Sequence, residues 1–100
     1  MTDKRWKRAE RDVARLLGGR RLPVSGKAEP DVVTDTLAAE VKCRTLPDWL
    51  KNALDQASGN APEGLTPVVV LVDSQRGIKA RRVVVMELER FQGTEERRKP

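Results

Sequence analysis

Histidine and tyrosine are absent from the 100 residues, cysteine occurs once, and aromatic side chains make up only 3%. Without histidine there is no Ser-His or Cys-His catalysis and no His-ligated zinc. A single cysteine, Cys43, excludes an intrachain disulfide and any CxxC metal site. The lack of tyrosine removes a tyrosine nucleophile. No apolar run approaches the ~18 residues of a membrane helix, and the N-terminal MTDKRWKRAERD lacks the apolar core of a signal peptide. These absences predict a soluble, intracellular chain whose chemistry rests on carboxylates, lysines, a few hydroxyls and any cation they hold.

Positive charge is what the sequence has in excess. Lys and Arg number 20 against 15 Asp and Glu, for a net charge of +5 and a pI near 9.9. Such a balance favours a polyanionic partner, most often nucleic acid. The length suits one domain and leaves a thin core, so a dimer is a natural expectation.

The periodicity predicts a helix over 4–17, with Trp6, Ala9, Val13, Leu16 and Leu17 on one face and Gly18-Gly19 as its stop. Arg20–Val24 reads as an extended edge piece containing Pro23, followed by a Ser25-Gly26 turn and a Lys27–Pro30 connector. Asp31–Thr34 and Leu37–Arg44 read as two strands around an Asp35-Thr36 turn. A second helix is expected over 47–58, with Trp49, Leu50, Ala53, Leu54 and Ala57 as its apolar stripe. After a Gly59–Gly64 loop, Pro67–Asp73 has the continuous apolar character of a strand buried on both faces. A turn at Gln75-Arg76-Gly77 leads into a last strand, Ala80–Leu88. The expectation is a single α/β domain over 1–92, a mixed sheet flanked by helices in the order α-β-β-β-α-β-β, with a charged, disordered tail over 93–100.

One cluster of acids has spacing that carries chemistry. Glu40 and Lys42 are two apart and share a strand face. With the turn at Asp35-Thr36, residue numbers across the ladder add to 71, which sets Asp31 opposite Glu40 at a Cβ separation of roughly 4.5–5.5 Å. Like charges so placed repel, unless a hard divalent cation lies between them. On the first helix, at ~100° per residue from Trp6, Glu10 falls near 40°, at the edge of the apolar stripe, whereas Asp12 falls near 240°. An inward carboxylate needs a partner. A metal site would supply one, with the Lys42 ammonium placed to polarise a phosphoryl oxygen or steady a water. The alternative reading is equally simple: Asp31 starts a strand, Glu40 and Lys42 pair with each other, and Glu10 rims a helix.

The remaining residues divide between surface and core. Lys4, Lys7, Arg8, Arg11 and Arg15 occupy one sector of the first helix, at roughly 100–200°, which favours phosphate contact over mere solvation. Lys27, Arg44 and Lys51 flank the acids in sequence, and Arg81, Arg82 and Arg97-Arg98-Lys99 could extend the basic surface. Trp6 and Trp49 fall on apolar stripes and are expected in the core, as is Cys43. With no aromatic platform, recognition through backbone charge and DNA shape fits better than stacking.

Pro30-Asp31, eight residues, then Glu40-Val41-Lys42 is a PD-x8-ExK pattern, similar to the core of the PD-(D/E)xK nuclease superfamily. Its wider frame, AERDVARLLGGRRLPVSGKAEPDVVTDTLAAEVKCR, resembles the archaeal-type Holliday junction resolvases, also found in some phages. The likeness spans about residues 8–58. It implies a restriction-endonuclease-like fold in a homodimer acting on four-way DNA junctions, in a prokaryotic or phage-infected cytoplasm. It further implies that Glu10, Asp31, Glu40 and the Val41 carbonyl bind Mg2+, with Mn2+ able to substitute. Lys42 would be the catalytic lysine, Ser25 an active-site hydroxyl, and Gln56 a DNA-facing residue of the second helix. No small-molecule cofactor or membrane is implied. Two readings compete with a resolvase: a nuclease of the same superfamily acting on other DNA forms, and a basic nucleic-acid-binding module without catalysis.

Overall fold

The structure is a computed structural model that describes residues 4–23 and 25–92. The expected tail over 93–100 lies outside the described residues. The chain divides into two compact units, Met1–Thr45 and Leu46–Pro100.

The first unit opens with α1, Arg5–Leu17. No acid sits in its first turn and no side chain caps its start, whereas Lys4, Arg5, Lys7 and Arg8 crowd that end. Cations there oppose the helix dipole by some 0.3–1 kcal/mol each, so these residues do not serve the helix itself. Gly18 ends α1 in the left-handed region at φ 68°, and the Gly19 N–H then donates to the Ala14 carbonyl at 2.8 Å. Gly19 packs closely on the next strand. A methyl group there would overlap the Val33 carbonyl oxygen and lie 2.7 Å from Thr34 Cγ2.

Three short strands follow: β1 (Arg20–Arg21), β2 (Val32–Val33) and β3 (Ala38–Ala39), paired antiparallel in that order. In β2 and β3, Val32 faces Ala39 and Val33 faces Ala38, so partner numbers add to 71 as the hairpin spacing predicts. Thr34 fixes the turn, its Oγ1 accepting the Thr36 and Leu37 N–H groups at 3.1 and 3.0 Å. On the β1 side the ladder continues one residue past β2. On the β3 side Asp31 shares Ala39 with Val32, so the expected placement of Asp31 directly opposite Glu40 is not reached. The Leu22 N–H donates to the Asp31 carbonyl and the Asp31 N–H to the Ala39 carbonyl, each at 3.0 Å. α1 packs on β1 and β2, burying Ala14, Glu10 and the fully enclosed Val32.

The second unit contains α2 (Asp48–Asn60), β4 (Val69–Asp73) and β5 (Arg81–Val85). Pro47 is extended and caps α2, and Asp48 complements the positive end of its dipole. α2 packs on β4, with Leu50 buried. β4 and β5 pair antiparallel from Val69↔Val85 to Asp73↔Arg81, joined through Gly77 at φ 81°. A helical turn over 88–92 follows, where the expected last strand would have run to Leu88.

Several expectations are corrected. In place of one mixed sheet, the described residues form two antiparallel sheets, one in each unit. The run Pro67–Asp73 is not buried on both faces: Val70 and Val72 are 55% and 56% exposed, because a two-stranded ribbon covers its members on one side only. The third strand stops at Ala39 rather than Arg44, and Cys43, beyond its end, is exposed. Trp6 and Trp49 are not core residues, at 38% and 59% exposed.

Candidate functional site: an acidic cleft beside a basic helix

Glu10 reaches inward as its helical angle requires and is 8% exposed. Its partner is a cation supplied by the chain. The Arg21 Nε–H donates to Glu10 Oε1 at 2.6 Å, with the two side chains 24% and 10% exposed. Arg21 lies on β1, directly after the Gly18-Gly19 turn that brings the strand back along α1. The Trp6 ring borders the pair, with Arg21 Cζ 5.8 Å and Lys7 Nζ 5.5 Å from its centroid. Asp12, on the far side of α1, pairs with Arg15 at 3.1 Å in solvent.

Asp31 is held from both sides by the ladder, and its side chain adds a further bond. Asp31 Oδ2 accepts the Val41 N–H at 2.8 Å, two residues past the end of β3 at Ala39. The carboxylate therefore takes over the rung that β3, having ended at Ala39, no longer provides. Through this bond the Pro-Asp step and the Glu-Val-Lys step are joined directly.

Glu10, Asp31, Ser25 and Lys27 line one cleft of about 370 Å³, together with Trp6 and Glu29. Ser25 sits in a tight turn: its Oγ accepts the Lys27 N–H at 3.3 Å and donates to Glu29 Oε2 at 3.2 Å. Glu40 and Lys42 are exposed and are not among the residues that line the cleft. The basic residues Lys4, Arg8, Arg11, Arg15, Lys27 and Arg44 are exposed and Lys7 is half-buried. Lys51 and Gln56 are exposed on α2, in the other unit.

Carboxylate oxygens are the right donors for a hard cation, and two of the three candidate acids share the cleft. The set is not assembled, however. Among the described residues no group of three acidic or thiol side chains is disposed to hold a metal ion. Glu10 is engaged by Arg21 and Glu40 stands outside the cleft. Arg21, which pairs with Glu10, and Glu29, which lines the cleft, are the two charged residues at the site that the sequence pattern does not single out. Arg21 had one available signal, a cation following a Gly-Gly turn and therefore returning along the helix that carries the inward acid. Glu29 had its place one residue before the Pro-Asp pair.

No family model, curated protein or solved structure matches the chain. No helix among the described residues is long and apolar enough to cross a membrane.

Proposed function

We propose that the chain is a divalent-cation-dependent, structure-selective DNA endonuclease that resolves four-way junctions by paired phosphodiester cleavage, built on a restriction-endonuclease-like core and acting as a homodimer. The observation that carries this reading is the Asp31–Val41 bond, which ties the two halves of the PD-x8-ExK pattern directly. Glu10, Asp31, Glu40 and the Val41 carbonyl are the residues that would hold Mg2+, or Mn2+ in its place. When bound, such an ion supplies neutralisation of phosphate charge and a more acidic water.

The chain's own residues carry the rest. The cationic side of α1 contacts DNA phosphates. Lys42 donates to a non-bridging phosphoryl oxygen and stabilises the charge that builds there. Ser25 gives up Glu29 to donate to the same phosphate, and Lys27 sits beside it. The hydrolysis adds a water oxygen to phosphorus as the bond to the 3′ oxygen breaks. One water proton ends on that oxygen, leaving a 3′-hydroxyl and a 5′-phosphate. Two copies related by a two-fold axis would cut two opposing strands. A prokaryotic or phage-infected cytoplasm would provide the substrate.

A nicking assay tests this on a synthetic four-way junction beside a linear duplex of matched sequence, with and without Mg2+ and with Glu40→Ala in parallel. Paired Mg2+-dependent cuts in opposing strands, absent in the variant, are the expected result. Equal cutting of both substrates would retain the nuclease and remove the junction preference. Cleavage by Glu40→Ala at the wild-type rate would refute the assignment. The second reading, a basic binding module without catalysis, is favoured by the Glu10–Arg21 pair, which satisfies the inward acid without any metal. It predicts tight, salt-sensitive binding and no cutting.

A further inference from the structure

The incomplete cation set and the Glu10–Arg21 pair have one explanation. We infer that Arg21 is a positioning residue that occupies Glu10 in place of a divalent cation, so that cation binding and the Glu10–Arg21 bond exclude one another. The inference rests on the proposed cation site and specifies how that site is controlled.

The physical basis is the burial of Glu10. A carboxylate with a side chain only 10% exposed cannot rely on water, so it requires a cation at all times. Without a metal, the Arg21 guanidinium meets that need through a short charge-assisted bond at 2.6 Å. Arg21 is itself kept in place by the Trp6 ring, 5.8 Å from its Cζ. A divalent ion on the same carboxylate would lie close to the guanidinium, and two positive groups on one carboxylate repel each other. Arg21 has somewhere to go: its side chain is 24% exposed and can turn toward solvent. Glu10 has no such freedom, being fixed on α1 against β1 and β2. The exchange therefore moves Arg21 and leaves Glu10 in position.

The test reads cation binding directly. Tb3+ is a hard-ion probe whose emission is sensitised by a nearby indole. Of the two tryptophans, only Trp6 lines the cleft, so Trp49→Phe makes it the sole donor. In that background Tb3+ is titrated into the otherwise unchanged chain, Arg21→Gln and Glu10→Gln, with Mg2+ as competitor. Arg21→Gln should bind more tightly on the order of tenfold, the factor a 1.4 kcal/mol coupling produces, and Glu10→Gln should bind more weakly. A tighter-binding Arg21→Gln is not what loss of a merely structural contact would give. If Arg21→Gln fails to fold, Arg21→Lys replaces it. Lysine keeps the charge but loses the planar fork, so a smaller tightening in the same direction is expected.

Equal affinity in the Arg21 variant and the parent, with Glu10→Gln weakened, would overturn the inference and leave the cation site standing. Unchanged binding in Glu10→Gln would overturn it by removing Glu10 from the site. An absence of sensitised emission in every protein would overturn it together with the cation-dependent reading on which it rests.

Discussion

The two halves of the Glu10–Arg21 pair should not be equally costly to remove, even with all divalent ions chelated. Arg21→Ala leaves a carboxylate with a side chain 10% exposed and no cation, the situation that costs about 3 kcal/mol when one member of a buried pair is deleted. Glu10→Ala leaves Arg21, which is 24% exposed and can turn to water across the Trp6 ring, so the loss is nearer 1 kcal/mol. Removing both eliminates the stranded charge. The double variant should therefore be more stable than Arg21→Ala alone by about 1–2 kcal/mol, a coupling of about 2–3 kcal/mol against the ~0.5 kcal/mol of independent sites. Urea unfolding in EDTA, followed by Trp6 emission in a Trp49→Phe background, measures all three. In thermal melts the Arg21→Ala loss corresponds to roughly 12–24 °C for a domain of this size. Additive losses, or a double variant weaker than Arg21→Ala, would refute the reasoning that Glu10 is buried on a guanidinium.

Other expectations follow from single contacts. Gly19→Ala should destabilise by at least ~2 kcal/mol through backbone overlap with Val33, whereas Gly18→Ala, with open space but φ 68°, should lose only about 1–2 kcal/mol; chemical denaturation ranks them. Asp31→Asn keeps an acceptor for the Val41 N–H and should hold the fold, while Asp31→Ala should lose about 1.5–3 kcal/mol; both should abolish nicking. Replacing Lys4, Lys7 and Arg8 with glutamine should lower the slope of log affinity against log salt by about 2.7 on duplex DNA, as expected for three lost phosphate contacts. An unchanged slope would remove α1 from the DNA surface.

Local pattern was legible where one element decides it. The stop at Gly18, the Asp35-Thr36 turn and the register it imposes follow from residue types within a few positions of each other. So does the inward angle of Glu10, which needs only helical geometry. What covers a side chain was harder to read, because it depends on the neighbouring element. Glu10 called for a partner, and a metal was inferred; the partner is Arg21, eleven positions away across a turn whose exit direction no periodicity encodes. Cys43 and the valines of β4 were assigned to a core on hydrophobicity alone. The early end of β3 and the two-stranded form of the β4–β5 ribbon leave them exposed. Trp6 belongs to an apolar stripe yet borders the acidic cleft, where two cations meet its ring.

The bond from Asp31 to Val41 makes one carboxylate part of the backbone scaffold. Its Oδ2 takes the place of a peptide carbonyl for the segment that carries Glu40 and Lys42. The electron density on that carboxylate thus sets how firmly the segment is held. Any event that withdraws charge from Asp31, whether a proton, a cation or an approaching phosphate-bound counterion, weakens the tether and gives Glu40 and Lys42 more freedom to reorient. Asp31 and the segment that carries Glu40 and Lys42 are linked by one hydrogen bond, with no intermediate side chain between them.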